Sequence, residues 1–197
     1  MLNYETRVQY INGYLSGEFK PSGNITRAEA STLFYNLLKE TTIEKEISFS
    51  DLNPNEWYYN SMITLSSKNM ISGYPDGTIK ATKAITRAEF ITLVSRFTEL
   101  TSGQRSFTDL SSSHWAYKYI VSAAEKGWLV GYPDGSFKAN DNITRAEAVK
   151  IINSMLGRIP NKEELDNTTG LKYFTDVSRS HWAYYQIIEA ANSFLSE

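Results

Sequence analysis

Apolar residues return at helical spacing in three stretches that open alike. Behind Thr26 they fall at Ala28, Phe34 and Leu37, and behind Thr86 at Ala88, Ile91, Val94 and Phe97. Behind Thr144 they fall at Ala146, Val149, Ile152 and Met155. That spacing draws one buried stripe along each of three helices. A second kind of helix is predicted where Ile120, Ala123, Ala124 and Trp128 turn inward, with Ile187, Ala190, Ala191 and Leu195 as counterparts. The polar stretches 39–48, 98–106 and 157–172 read as connections, the third being the longest and the most open to motion.

The stripes belong to a repeat. The word ITRAE occurs at 25–29, 85–89 and 143–147, with starts 60 and then 58 residues apart. A lysine stands six residues before each threonine: Lys20, Lys80 and Lys138. Ahead of these lie glycine loops, GYLSG at 13–17 and GYPDG at 73–77 and 131–135. A Phe-x-Asp word precedes the two later loops, ending at Asp51 and Asp109, and recurs near the C-terminus ending at Asp176. A tryptophan follows each Asp by six residues: Trp57, Trp115 and Trp182. Each unit therefore reads helix, loop, helix. Its second helix opens on a capping box, in which Thr26, Thr86 or Thr144 caps and Glu29, Glu89 or Glu147 reaches back.

The division follows: 1–46 is the second half of one unit, 47–104 and 105–165 are whole units, and 166–197 supplies the missing first half. The expected fold is all-α, a single domain of three helix-loop-helix repeats closed into a pseudo-threefold bundle instead of an open solenoid. In that closure the C-terminal helix docks beside the N-terminal unit. The composite site would group Asp176 and Trp182 with Gly13, Lys20 and Arg27.

Composition narrows the chemistry. A net charge of −2 argues against a bulk electrostatic nucleic-acid binder, and no apolar run approaches the roughly 20 residues of a membrane span. The absence of Cys removes disulfides and thiolate metal sites together. Met1 is not followed by a signal peptide, which fits a cytosolic chain or a mature fragment. His114 and His181 both precede a tryptophan, but Glu56 holds the equivalent place in the other unit, which argues against a metal or base role. Asn24, Asn142 and Asn167 match the glycosylation sequon, two of them only because a cap threonine follows. No catalytic residue, metal site or cofactor is expected.

Three arginines stand apart. Arg27, Arg87 and Arg145 sit at the first helical position, where the helix dipole disfavours a cation. Two roles answer for them: an ion pair to Asp51, Asp109 or Asp176, or a planar fork for an anionic ligand group. Lys20, Lys80 and Lys138 add a second cation to each unit. Gly13, Gly73 and Gly131 permit close backbone approach, and Trp57, Trp115 and Trp182 offer flat faces for a sugar ring or anchor the core. Trp128 is placed in the core.

The ordered set Phe-x-Asp, Trp-Ala, Gly-Tyr-Pro-Asp-Gly, Phe-Lys and Ile-Thr-Arg-Ala-Glu resembles the S-layer homology motif, over nearly the whole chain. The resemblance implies an all-helical, pseudo-threefold domain outside the bacterial cell, at the wall surface, often attached to a larger exported protein. It implies non-covalent binding of acidic, often pyruvylated, secondary cell-wall polysaccharide in grooves between motifs. The binding arginines would be Arg27, Arg87 and Arg145, with the glycine loops and Trp57, Trp115 and Trp182 alongside. Two departures are visible: the 13–17 loop lacks Pro and Asp, and Trp57 lies in Glu-Trp-Tyr. The alternative is a helical scaffold for protein–protein interaction at the cell surface, in which the arginines serve structural ion pairs.

Overall fold

The computed structural model describes residues 2–4 and 7–194, so Leu195 lies outside the described residues. Seven helices and no strand occur among them: α1 (Arg27–Leu37), α2 (Tyr59–Ser67), α3 (Arg87–Ser95), α4 (Tyr117–Glu125), α5 (Arg145–Met155), α6 (Lys162–Asn167) and α7 (Tyr184–Ala191). The helices α1, α3 and α5 each start on a complete capping box, with Thr26, Thr86 and Thr144 in extended backbone. The tryptophan-headed helices start differently. In two of them no side chain caps the helix, and a histidine fixes the turn ahead of it: Nδ1 of His114 accepts from the Ala116 N–H and Nδ1 of His181 from the Ala183 N–H, both at 3.1 Å. A local hydrogen bond thus accounts for both histidines.

The three capping boxes meet on an axis. The Ile25 N–H donates to the Ile143 carbonyl, Ile143 to Ile85, and Ile85 to Ile25, at 3.0–3.1 Å. The cycle is closed. A second tier repeats it, with Arg27 donating to Lys83, Arg87 to Asp141 and Arg145 to Gly23 through backbone at 2.9 Å. Side chains of Ile25, Ile85 and Ile143 fill the centre and are almost fully buried, as are Phe19, Ile79 and Phe137 just outside them.

Around this axis the helices pair in chain order: α1 with α2, α3 with α4, α5 with α7. Each ITRAE helix packs on the tryptophan-headed helix that follows it. The C-terminal helix packs its apolar face on α5, burying Ile187, Ile188, Ala190 and Ala191. It also docks beside the N-terminal unit as the split repeat predicts, where the Ala190 carbonyl accepts from the Tyr10 and Ile11 N–H groups. The other part of the C-terminal half-unit joins the N-terminal unit too, because the Phe174 ring stands 5.1 Å from that of Phe19. The ring closes through a third contact, in which Tyr10 N–H donates to Ala190 O and Phe194 N–H to Arg7 O. Arg7 locks it with a bidentate pair to Glu189, whose side chain is buried, and a further bond to Glu164 at 2.7 Å.

The 157–172 connection contains a helix instead of a purely irregular link. Asn161 caps α6 by accepting from the Glu164 N–H, Glu163 and Glu164 lie in its first turn, and Leu165 is buried. Asn before two acids is a helix-start signal that the polarity of the stretch hides.

Three grooves between units

The side chain of each ITRAE arginine leaves its own helix and crosses to the next unit. Arg27 Nε donates to Ile79 O and one terminal nitrogen to Ser72 O. Arg145 does the same to Phe19 O and Asn12 O, and Arg87 Nε donates to Phe137 O. The guanidinium also faces the capping glutamate of that next unit: Arg87 to Glu147 at 2.9 Å, Arg145 to Glu29 at 3.1 Å, Arg27 to Glu89 at 3.8 Å. The expected ion pairs with Asp51, Asp109 and Asp176 do not form. All three arginines are only 4–5% exposed.

Each glutamate serves two masters because a carboxylate has two oxygens. Oε2 of Glu29, Glu89 and Glu147 accepts from the cap threonine N–H. Oε1 accepts from a tyrosine hydroxyl in the glycine loop, Tyr14, Tyr74 or Tyr132. Those rings are covered by the arginine guanidinium on one contact, at 4.8–5.0 Å, and by Lys20, Lys80 or Lys138 on another, at 4.3–4.7 Å. Both distances lie within cation–π range. The tyrosines follow a glycine in all three loops, and that recurrence was the available signal for them.

The aspartates do another job. Asp176 accepts from the backbone N–H groups of Phe19 and Lys20, Asp51 from Ile79 and Lys80, and Asp109 from Phe137 and Lys138, all at 2.7–2.8 Å. The three lysines adopt positive φ, between 50° and 58°, a conformation that costs an L-residue about 1–2 kcal/mol. Two charge-assisted bonds from one carboxylate hold the backbone there. At Gly13, Gly73 and Gly131 an added Cβ would run into the rings of Phe174, Phe49 and Phe107 respectively. Their smallness seats these rings.

Between units lie three grooves. Arg145, the loop at Gly13 and Tyr14, Glu29 and Trp57 line one of about 690 Å³. Arg27, Ser72, Glu89 and Trp115 line one of about 180 Å³. Arg87, the loop at Gly131 and Tyr132, Glu147 and Trp182 line one of about 330 Å³. Each takes its arginine from one unit, its loop and glutamate from the next, and its tryptophan from the one after. The composite grouping of Trp182 with Gly13 and Arg27 does not occur: Trp182 belongs with Arg87 and Gly131. Trp57, Trp115 and Trp182 are 66%, 56% and 58% exposed, so they present flat faces and do not anchor the core. Trp128 is buried at the edge of the Arg87 groove. Asp51, Asp109, Asp176, Lys20, Lys80 and Lys138 brace the loops from outside the groove linings.

Glu147 shows how these contacts set charge. Burial works to raise its pKa, but the Thr144 N–H, the Arg87 charge, and the Thr144 and Tyr132 hydroxyls outweigh it and hold the carboxyl below its ordinary value. A depressed carboxylate contributes stability above its unfolded pKa and loses it as pH falls through the folded one. Urea midpoints are therefore expected to fall on acidification through the carboxylate range. Glu147→Gln should start lower at neutral pH and fall less steeply. An identical pH slope in the variant would remove Glu147 from the acid response.

Among the described residues no helix is long and apolar enough to cross a membrane. Comparison with known proteins agrees with the repeat. The chain is 40% identical to a cellulosome-anchoring protein of Acetivibrio thermocellus over 91% of its own length and 41% of the relative's. It is 36% identical to cell surface glycoprotein 1 of the same organism over 92% of its length, which is 8% of that protein. An amylopullulanase of Thermoanaerobacterium thermosulfurigenes matches at 31% over 77% of the chain, again 8% of the relative. The chain thus spans less than half the length of these relatives. The S-layer homology domain model matches 9–31, 48–91 and 106–149, together more than half of the chain. These segments carry the glycine loops, buried arginines and capping boxes that build the ring, and the chain belongs to the S-layer homology domain family.

Proposed function

We propose that the domain anchors a larger surface protein, non-covalently, to the bacterial cell wall by binding acidic secondary cell-wall polysaccharide, with pyruvylated sugars as the expected ligands. It works outside the cell, at the wall, and as a binding domain without chemistry of its own. The observation that carries this reading is the groove: an exposed tryptophan and a buried arginine line the same cleft, three times around one ring. An apolar face with few fixed polar groups is the form of a small-ligand site. The names of the anchoring and surface relatives point the same way. Because the net charge is −2, attraction to an acidic polymer has to be local.

Co-sedimentation with purified cell walls tests it. The chain should pellet with intact walls and stay in solution once the wall polysaccharide has been stripped. Pelleting that survives stripping would refute the polymer reading and favour a protein partner.

A further inference from the structure

The three grooves share a plan but differ in how their cations are placed and partnered. In two of them the arginine fork is fully committed on its carbonyl side: the second terminal nitrogen of Arg27 donates to Ser72 O and that of Arg145 to Asn12 O, both at 2.8 Å. At Arg87 the equivalent acceptor would be the carbonyl of Val130, and no bond forms. Nε of Arg87 is held by Phe137 O and one terminal nitrogen by Glu147, leaving the other free among the described residues. That nitrogen belongs to a side chain 4% exposed which lines the groove.

The same groove carries a cation at a repeat position that is threonine in the other two units. Seven residues into the ITRAE words stand Thr32, Thr92 and Lys150. Both threonine hydroxyls donate back to a helix carbonyl, of Ala28 and Ala88, and are spent there. Lys150 is exposed, lines the groove, and sets its ammonium 5.8 Å from the centre of the Trp182 ring. Among the described residues no carboxylate pairs with it. The Arg145 groove is roomier but has no second cation in its lining. The Arg27 groove does add Arg96, yet its 180 Å³ falls below the roughly 300 Å³ at which ligand pockets begin.

We infer that the Arg87 groove is the anion-selective subsite of the ring, and that Lys150 is its specificity-determining residue. It takes a sugar bearing a carboxylate: the acid lies between the free Arg87 nitrogen and the Lys150 ammonium, and the ring lies on Trp182. The inference rests on the polysaccharide reading above and goes further by making the three grooves unequal. One acidic residue is bound per domain.

The experiment is a calorimetric titration of the whole chain with oligosaccharides released from walls of the producing bacterium and separated into acidic and neutral pools. The acidic pool should bind at one site per chain. Lys150→Thr should weaken that binding by about tenfold or more, the size of losing one charge-assisted contact, and flatten its dependence on salt. Its thermal midpoint should stay put, since the side chain is exposed, and Lys150→Arg should keep the affinity. Equal affinity of Lys150→Thr for the acidic pool, three equal sites per chain, or equal binding of the neutral pool each overturns the inference. If the native chain binds intact walls while Lys150→Thr behaves identically, only the inference falls. If it binds no walls at all, the function proposed above falls with it.

Discussion

Ending the chain at Gly170 leaves no cooperatively folded domain. The deletion removes α7 from α5, with Ile187, Ile188, Ala190 and Ala191 all at most 1% exposed in the intact fold. It also removes Phe174, Val177 and Ala183 from the core. Each large apolar side chain among these is worth about 1.5–3 kcal/mol of burial. Three of them, Ile187, Ile188 and Phe174, already approach the 5–15 kcal/mol by which whole domains are stable. Polar losses come on top. Without Asp176 the N–H groups of Phe19 and Lys20 lose their acceptor, and without Ala190 so does that of Tyr10. Amide hydrogen exchange on the truncated chain should show protection lost in both the 10–30 segment and α5, with α3 and α4 the last to retain any. A sharp two-state urea transition of the truncated chain, with α5 still protected, would show the C-terminal half-unit to be dispensable.

Arg145→Ala should cost about 3–5 kcal/mol, the loss that follows when one member of a buried ion pair is removed and the other stays. The substitution takes the counter-charge from Oε1 of Glu29, which keeps only the Tyr14 hydroxyl, and strands the Phe19 and Asn12 carbonyls at once. All three lie in the N-terminal unit, so the damage appears at the seam where the ring closes. For a chain of this size the thermal midpoint should drop by about 10 °C. Arg145→Lys recovers little, because one ammonium cannot reach two carbonyls and a carboxylate in a fixed fork. A loss below 1 kcal/mol in Arg145→Ala would mean that the arginine is not a structural clamp. A folded Arg145→Ala that no longer binds walls would instead assign it to the ligand. The three-arginine variant is therefore expected to fail in folding before it can report on binding.

Local grammar made the helices legible. Thr-Arg-Ala-Glu followed by a stripe predicts α1, α3 and α5 at their observed starts, because a capping box is a contract between residues three apart. The closed ring was legible too, from two complementary half-units at the two termini. The arginine partners were not. Arg87 and Glu147 lie 60 residues apart, and Arg145 and Glu29 lie 116 apart. Each glutamate already had a sufficient local role, and nothing in spacing says that its second oxygen faces another unit. The packing of the last helix on α5, beside its contacts with Arg7, Tyr10 and Ile11, was hidden for a related reason. In sequence a half-unit calls for its own missing half, whereas the packed pair is an ITRAE helix with the tryptophan helix that follows it. The copied unit and the packed unit are out of phase by one helix. The repeat register sets Lys150 against Thr32 and Thr92 in the sequence itself, but that it borders a groove beside Trp182 shows only in the fold.

The cycle of backbone bonds through Ile25, Ile85 and Ile143 has a consequence for how the units share their stability. A linear stack of three has two interfaces and two exposed ends, and its end units can fray singly. Three units in a ring have three interfaces and no end. The third forms between partners already tethered, at an effective concentration set by the chain and not by diffusion. To release any one unit, two interfaces must open together. A domain held on a polymer under load would then yield as a whole or not at all.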